Sequence, residues 1–145
     1  MDVLNVKMKE MKKYLIIIPA LLFVVLAWVR CTDFPVDEDG LLITERSECY
    51  VSNFELLGKD FQTVRTKAAA IDTLAQTINV EVFYGTDLKN LWPQFSLITD
   101  AKLDPKITSF MDFSDLTKPK EWTVISGNRK VKKTYKVYLT VQTKP

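Results

Sequence analysis

The chain has 145 residues, 47% of them hydrophobic and 26% charged, with a formal net charge of +2 and no histidine. Without histidine neither a Ser-His-Asp nor a Cys-His nucleophile system can be assembled, and His-based zinc ligation is excluded. The basic balance is local: from Cys31 onward 15 Lys and Arg stand against 16 Asp and Glu, so that part is formally −1 and a nucleic-acid partner loses its main support.

Taken in chain order, Lys7, Lys9, Lys12 and Lys13 precede an uncharged run from Tyr14 to Val29, the arrangement of a secretory signal. About 16 helical residues at roughly 1.5 Å each reach about 24 Å, short of a hydrocarbon core of about 30 Å. A spanning helix therefore requires a thinned bilayer or snorkelling by Lys13 and Arg30. "MKKYLIII" already makes a complete signal, which marks Met11 as the candidate start. Cys31 follows the apolar run at the place where a bacterial lipoprotein signal carries its acylated cysteine. Trp28, Val29 and Arg30 stand where such signals have Leu, then a small residue, then Gly, Ala or Ser. Three routes stay open: lipidation at Cys31, an uncleaved anchor that holds the chain to the membrane, and a soluble secreted form.

Residues 1–30 thus read as a signal peptide or membrane anchor, and residues 31–47 as an acidic tether. "TDFPVDEDG" has no lasting hydrophobic period and buries too little to order itself. Its "DEDG" lacks the spacing and glutamate of a calcium loop, so no metal site is assigned there. "LLIT" at 41–44 is a candidate short edge strand.

Residues 48–145 read as strands separated by turns. In "CYVSNFELL", Tyr50, Ser52, Phe54 and Leu56 are expected on one face and Val51, Asn53 and Glu55 on the other. Gly58, Lys59 and Asp60 supply a turn. "KAAAIDT" and "QTINVEVFY" form the next pair, joined near Thr73 to Gln76, with Ile78, Val80 and Val82 alternating against Asn79, Glu81 and Phe83. In "GTDLKNLWPQF", Thr86 or Asp87 is placed to cap one helical turn through Leu91, which Pro93 ends. "QFSLIT" resumes a strand, and residues 100–120 read as a long irregular connection. "EWTVI" and "VKKTYKVYLTVQ" close the fold as a hairpin around "SGNRK", where Gly127 and Asn128 suit positive φ. In the last strand Tyr135, Val137, Leu139 and Val141 share a face opposite Lys136, Tyr138, Thr140 and Gln142. Six or seven short strands with little helix indicate an all-β fold, a single antiparallel β-sandwich. Cys49, inside a strand-like segment, reads as a buried inert thiol; a Cys31–Cys49 disulfide is the alternative in an exported chain.

The segments "YVSNFELL", "AIDTLAQTINVEVFYGTDLKNLWPQFSL", "LDP", "MDFSD" and "KEWTVISGNRKVKKTYKVYLTV" together resemble the small immunoglobulin-like domains of Bacteroidetes surface lipoproteins. The resemblance spans roughly residues 49–142 and rests on Gly85 to Leu88, Pro93, Asp112 to Ser114, Trp122 to Val124, Gly127 and Tyr135 to Val137. Asp33, Asp37, Glu38 and Asp39 after Cys31 likewise resemble the acidic export tag of such lipoproteins. The resemblance implies an immunoglobulin-like sandwich on a cell-envelope, outer-membrane lipoprotein that accompanies carbohydrate acquisition. Related domains commonly sit ahead of a glycan-binding module, and this sequence stops at Pro145.

The candidate chemistry is binding rather than catalysis. Asp112 and Asp115 of "MDFSD" are a carboxylate pair three apart, and they read as backbone-bonding turn residues rather than a glycosidase pair. No catalytic residue and no cofactor is assigned. The cations of "NRKVKK" read as a solvated hairpin that protects a sheet edge. Sugars stack their C–H faces on aromatic rings, which makes Trp92, Tyr138 and Phe83 the ligand-binding candidates, while Trp122 is expected in the core. The expected function is a non-catalytic, glycan-binding accessory module of the envelope. The alternative is a docking or spacer subunit that contacts an envelope protein, by a sheet edge, and has no carbohydrate ligand.

Overall fold

The computed structural model describes residues 34–144. The signal or anchor expected at 1–30 and the lipidation candidate Cys31 lie outside the described residues. Among those residues no helix is long and apolar enough to cross a membrane.

Seven strands follow in order: β1 (Val51–Leu57), β2 (Ala70–Asp72), β3 (Thr77–Val82), β4 (Trp92–Leu97), β5 (Lys102–Asp104), β6 (Lys120–Ile125) and β7 (Lys132–Val141). They make two layers, a two-stranded sheet β1-β4 and a five-stranded sheet β2-β3-β7-β6-β5. The fold is the all-β sandwich expected from the strand pattern. One pairing departs from the antiparallel expectation: β3 and β7 run parallel, with Ile78 opposite Val137 and Val80 opposite Leu139. A parallel neighbour needs a long connection, and everything from β4 to β6 supplies it.

The layers meet over a core of Val51, Phe54, Leu56, Ile78, Val80, Val82, Trp122, Val124, Tyr135, Val137 and Leu139, all buried. Phe95 of β4 reaches across to Trp122 of β6, ring centroids 5.1 Å apart, and Phe113 stacks on the same indole at 6.3 Å. Cys49 is 3% exposed and donates its S–H to the Val124 carbonyl at 3.0 Å. Burial pushes its thiol above the ordinary value, as befits a structural cysteine.

Four local expectations are corrected. Val51 faces the core together with Phe54 and Leu56, because a register shift between Val51 and Asn53 inserts one extra residue and flips the alternation. No helical turn forms at 86–91; Asp87 Oδ1 accepts the Lys89 N–H at 3.1 Å instead and makes an Asx turn. The 100–120 connection contains β5. In the β6-β7 turn the positive φ falls on Arg129 (61°), not on Gly127 or Asn128. Gly127 is required for another reason: a Cβ there would sit 3.0 Å from Asp100 Cβ and 3.2 Å from Arg46 Cβ.

Arg46 belongs to the acidic stretch, which from Pro35 to Arg46 lies on this end of the sandwich rather than standing off as a solvated tether. Val36 and Leu42 bridge across a turn closed by Gly40 (φ 73°). The Thr44 N–H donates to the Gly127 carbonyl at 3.0 Å, and the Asn128 N–H to the Arg46 carbonyl at 2.8 Å. Asp37 is held by Lys102 and by Arg129 Nε, each at 2.9 Å, and Asp39 by Lys102 and Lys106, each at 2.8 Å. Composition hides this clasp because its carboxylates find cations 63 to 92 residues away.

Candidate functional site

Alternation along β4 turns Pro93, Phe95 and Leu97 inward, and Trp92, Gln94 and Ser96 outward beside Leu57, Glu55 and Asn53 of β1. Trp92 therefore opens a strand and stands on the outer face of the two-stranded sheet. Pro93 is tolerated within the strand because its missing N–H lies on an unpaired edge.

The register Leu57↔Trp92 sets the turn after β1 beside the indole. That turn carries Phe61, whose N–H donates to the Gly58 carbonyl at 3.0 Å. Phe61 has φ 58° and is 57% exposed, a left-handed conformation that a bulky side chain rarely adopts. From the other side, the bridge Leu91↔Met111 brings in Phe110. The three rings form one patch, with centroids 6.1 Å (Phe61–Trp92), 5.6 Å (Trp92–Phe110) and 5.5 Å (Phe61–Phe110) apart. Along the same face Asn53, Gln94 and Ser96 are exposed. Glu55 is committed to the Arg65 guanidinium and accepts the Thr63 hydroxyl at 2.6 Å.

The other two ligand candidates are elsewhere. Tyr138 (39% exposed) and Phe83 (48%) point outward from the five-stranded sheet, as their alternation predicts. Tyr138 lies opposite Asn79, with Glu81, Lys136 and Thr140 nearby on the same face. Phe83 is four residues beyond Asn79, about 13 Å along the strand at roughly 3.3 Å per residue. The structure thus joins Trp92 to Phe61 and Phe110, but brings none of these to Tyr138 or Phe83. Sequence reasoning missed Phe61 and Phe110, since each sits in a connection with no period to read. β7 pairs with β3 only from Lys136 to Val141, so its first residues, Lys132–Tyr135, beside the hairpin's cations, pair with β6 alone.

The carboxylates of "MDFSD" are turn residues. Asp112 Oδ1 accepts the Ser114 N–H at 2.8 Å, and Asp115 Oδ1 accepts the Thr117 hydroxyl at 2.6 Å and its N–H at 3.1 Å. Bonds from the Ser114 and Thr117 side chains, then from their amides, hold both carboxyls below the ordinary aspartate value. No group of three or more metal-ligating side chains occurs among the described residues.

No curated protein matches the chain significantly. Among solved structures, a Bacteroides thetaiotaomicron protein described as a candidate glycoside hydrolase is 29% identical. It aligns over 66% of this chain and 25% of its own, with a TM-score of 0.55. A DUF4623 family protein from Bacteroides eggerthii is 20% identical over 67% of this chain and 22% of its own, with a TM-score of 0.51. The chain spans about a quarter of the length of these proteins. The family described as "SGBP, N-terminal" matches residues 59–139, more than half of the chain. The chain belongs to that family.

Proposed function

We propose that this domain is a non-catalytic, glycan-binding accessory module of the cell envelope, held at the outer membrane by lipid on Cys31 or by the uncleaved apolar segment before it. The observation that carries the reading is the Phe61–Trp92–Phe110 patch. Three rings in mutual contact, one of them more than half exposed, lie at the end of a sheet face that continues into Asn53, Gln94 and Ser96. Rings stack on the C–H faces of a pyranose, and amide and hydroxyl groups beside them take its hydroxyls. Holding Phe61 at positive φ works against local stability, and such outliers cluster at ligand sites.

A non-catalytic role fits the environment of the "MDFSD" carboxylates. A glycosidase needs one carboxyl kept protonated as general acid, with a raised pKa. Asp112 and Asp115 are exposed and shifted the opposite way. The likeness to a candidate glycoside hydrolase covers a quarter of that protein, a share that fits an accessory domain.

The test is binding of the chain to a panel of immobilised oligo- and polysaccharides. Wild type is expected to retain at least one glycan, and Trp92→Ala and Phe61→Ala to lose it at least tenfold. Tyr138→Ala, on the other sheet, is expected to change it less than twofold. Loss in Tyr138→Ala with retention in the other two, or no retention on any glycan by folded wild type, overturns the reading.

A further inference from the structure

β4 is the outer strand of its layer, and among the described residues no strand pairs with its far side. The ladder with β1 shows which backbone groups this leaves free. The Leu56 carbonyl accepts the Val64 N–H at 3.0 Å, and the Phe54 carbonyl accepts the Arg65 guanidinium, so both point away from β4. Paired residues of an antiparallel ladder alternate between exchanging bonds and turning outward together. Their partners Pro93 and Phe95 therefore turn away from β1. Two carbonyls and the Phe95 N–H face the flank.

That flank is a groove of about 460 Å³, walled on its other side by β5 and floored by Phe95, Leu97, Ala101, Leu103 and Ile107. Its place in the sandwich is that of an absent strand. Five strands span about 19 Å between outermost axes and two span about 5 Å. β1 packs near β2 and β4 lies over β6 through Phe95 and Trp122, which leaves β5 without a strand above it.

The charges on the groove select what can fill it. Its lining has two lysines and no carboxylate. Lys102 is 11% exposed and taken up by Asp37 and Asp39. Lys106 is 59% exposed and uses one of its three donors on Asp39. A lysine beside an edge repels a second copy of the same edge, but attracts a strand that carries a carboxylate.

We propose that this groove binds an extended acidic–apolar segment of another protein, which pairs with β4 as the third strand of its sheet. Six residues match the length of Trp92–Leu97. Alternate apolar side chains enter the floor and the intervening carboxylates reach Lys106. The backbone exchanges bonds with Phe95. The site meets the ring patch only at its Trp92 rim, and Phe61 and Phe110 are not part of it.

The experiment titrates the ¹⁵N-labelled full chain, in mild detergent, with three capped hexapeptides. One alternates Val and Glu, one alternates Val and Lys, and one is the Val-Glu peptide N-methylated on the edge that would pair. Expected are a saturable shift of the Phe95 amide with the Val-Glu peptide, at least tenfold weaker binding of the Val-Lys peptide, and no shift with the methylated one. Lys106→Glu is expected to reverse the charge preference, and Phe61→Ala to leave it unchanged. Equal affinity for the two charge types, or no saturable shift at Phe95, overturns the proposal. So does the same Phe95 shift produced by self-association or by an oligosaccharide, since a second copy or a sugar is then the occupant.

Discussion

Phe61 offers a test of whether its backbone is strained for the sake of its ring. In Phe61→Ala the left-handed conformation remains and the ring is lost. The ring is 57% exposed, so its burial is worth about 1 kcal/mol, less than half of what a fully buried Phe contributes. Contacts with Phe110 at 5.5 Å and Trp92 at 6.1 Å add about 0.5 kcal/mol each at a wet site. The alanine variant should lose about 2 kcal/mol. Phe61→Gly loses the same contacts but removes a left-handed penalty of about 1–2 kcal/mol, partly offset by glycine's greater freedom when unfolded. It should therefore be about 1 kcal/mol more stable than the alanine variant. Urea unfolding followed by far-ultraviolet circular dichroism reads this as a midpoint roughly 0.5–1 M higher. Glycan retention should fall equally in both variants, since neither has the ring. A glycine variant no more stable than the alanine variant would show that φ at 61 carries no strain, and would remove that support from the ring-patch reading.

Two further predictions concern the scaffold. Trp122→Ala empties the site where Phe95 and Phe113 converge on a residue 2% exposed, and should destabilise the fold by about 3–5 kcal/mol; a loss below about 1 kcal/mol in urea unfolding refutes the account of the core. The clasp at Asp37 should withstand mild acid. Hydrogen bonding to Lys102 holds that carboxyl well below the usual carboxylate range. A depressed folded pKa contributes stability that is full above the ordinary value of 3.8 and lost only as pH falls through the folded value. Exchange protection of the Leu41 amide, which donates to Asp37 Oδ1 at 2.9 Å, should hold from pH 7 to pH 4 and drop at least tenfold in Lys102→Met. Protection lost by pH 4 in the wild type contradicts the assignment.

What could be read from the sequence was what has a period. Ile78, Val80 and Val82, and Tyr135, Val137 and Leu139, alternate cleanly and point where alternation says. By the same rule Phe83 and Tyr138 face outward. Where one residue breaks the period, as between Val51 and Asn53, local pattern assigns the wrong face to everything before the break. The site was legible only at Trp92. Phe61 and Phe110 lie 31 and 18 residues from it in connections, and only the β1-β4 register and the Leu91–Met111 bridge bring the three together. The clasp was illegible for the same reason, since the ion pairs that dock its local turn on the sandwich are long-range.

The mismatch between the layers explains why one short strand carries two separate surfaces. A strand in the middle of a matched sandwich has its backbone paired on both sides and offers only its outer side chains. β4 has one paired side, so it presents outward side chains on its face and backbone groups on its edge. The alternation that sends Trp92, Gln94 and Ser96 outward sends Phe95 and Leu97 into the groove floor. The two surfaces therefore meet at Trp92 and Gln94, which stand on the outer face and also rim the groove. Within β4, a substitution at Ser96 acts on the outer face, whereas those at Phe95 and Leu97 act on the groove and the core. Lys106 lies outside both the core and the ring patch, which makes it the place where a partner's charge can be tested without disturbing either.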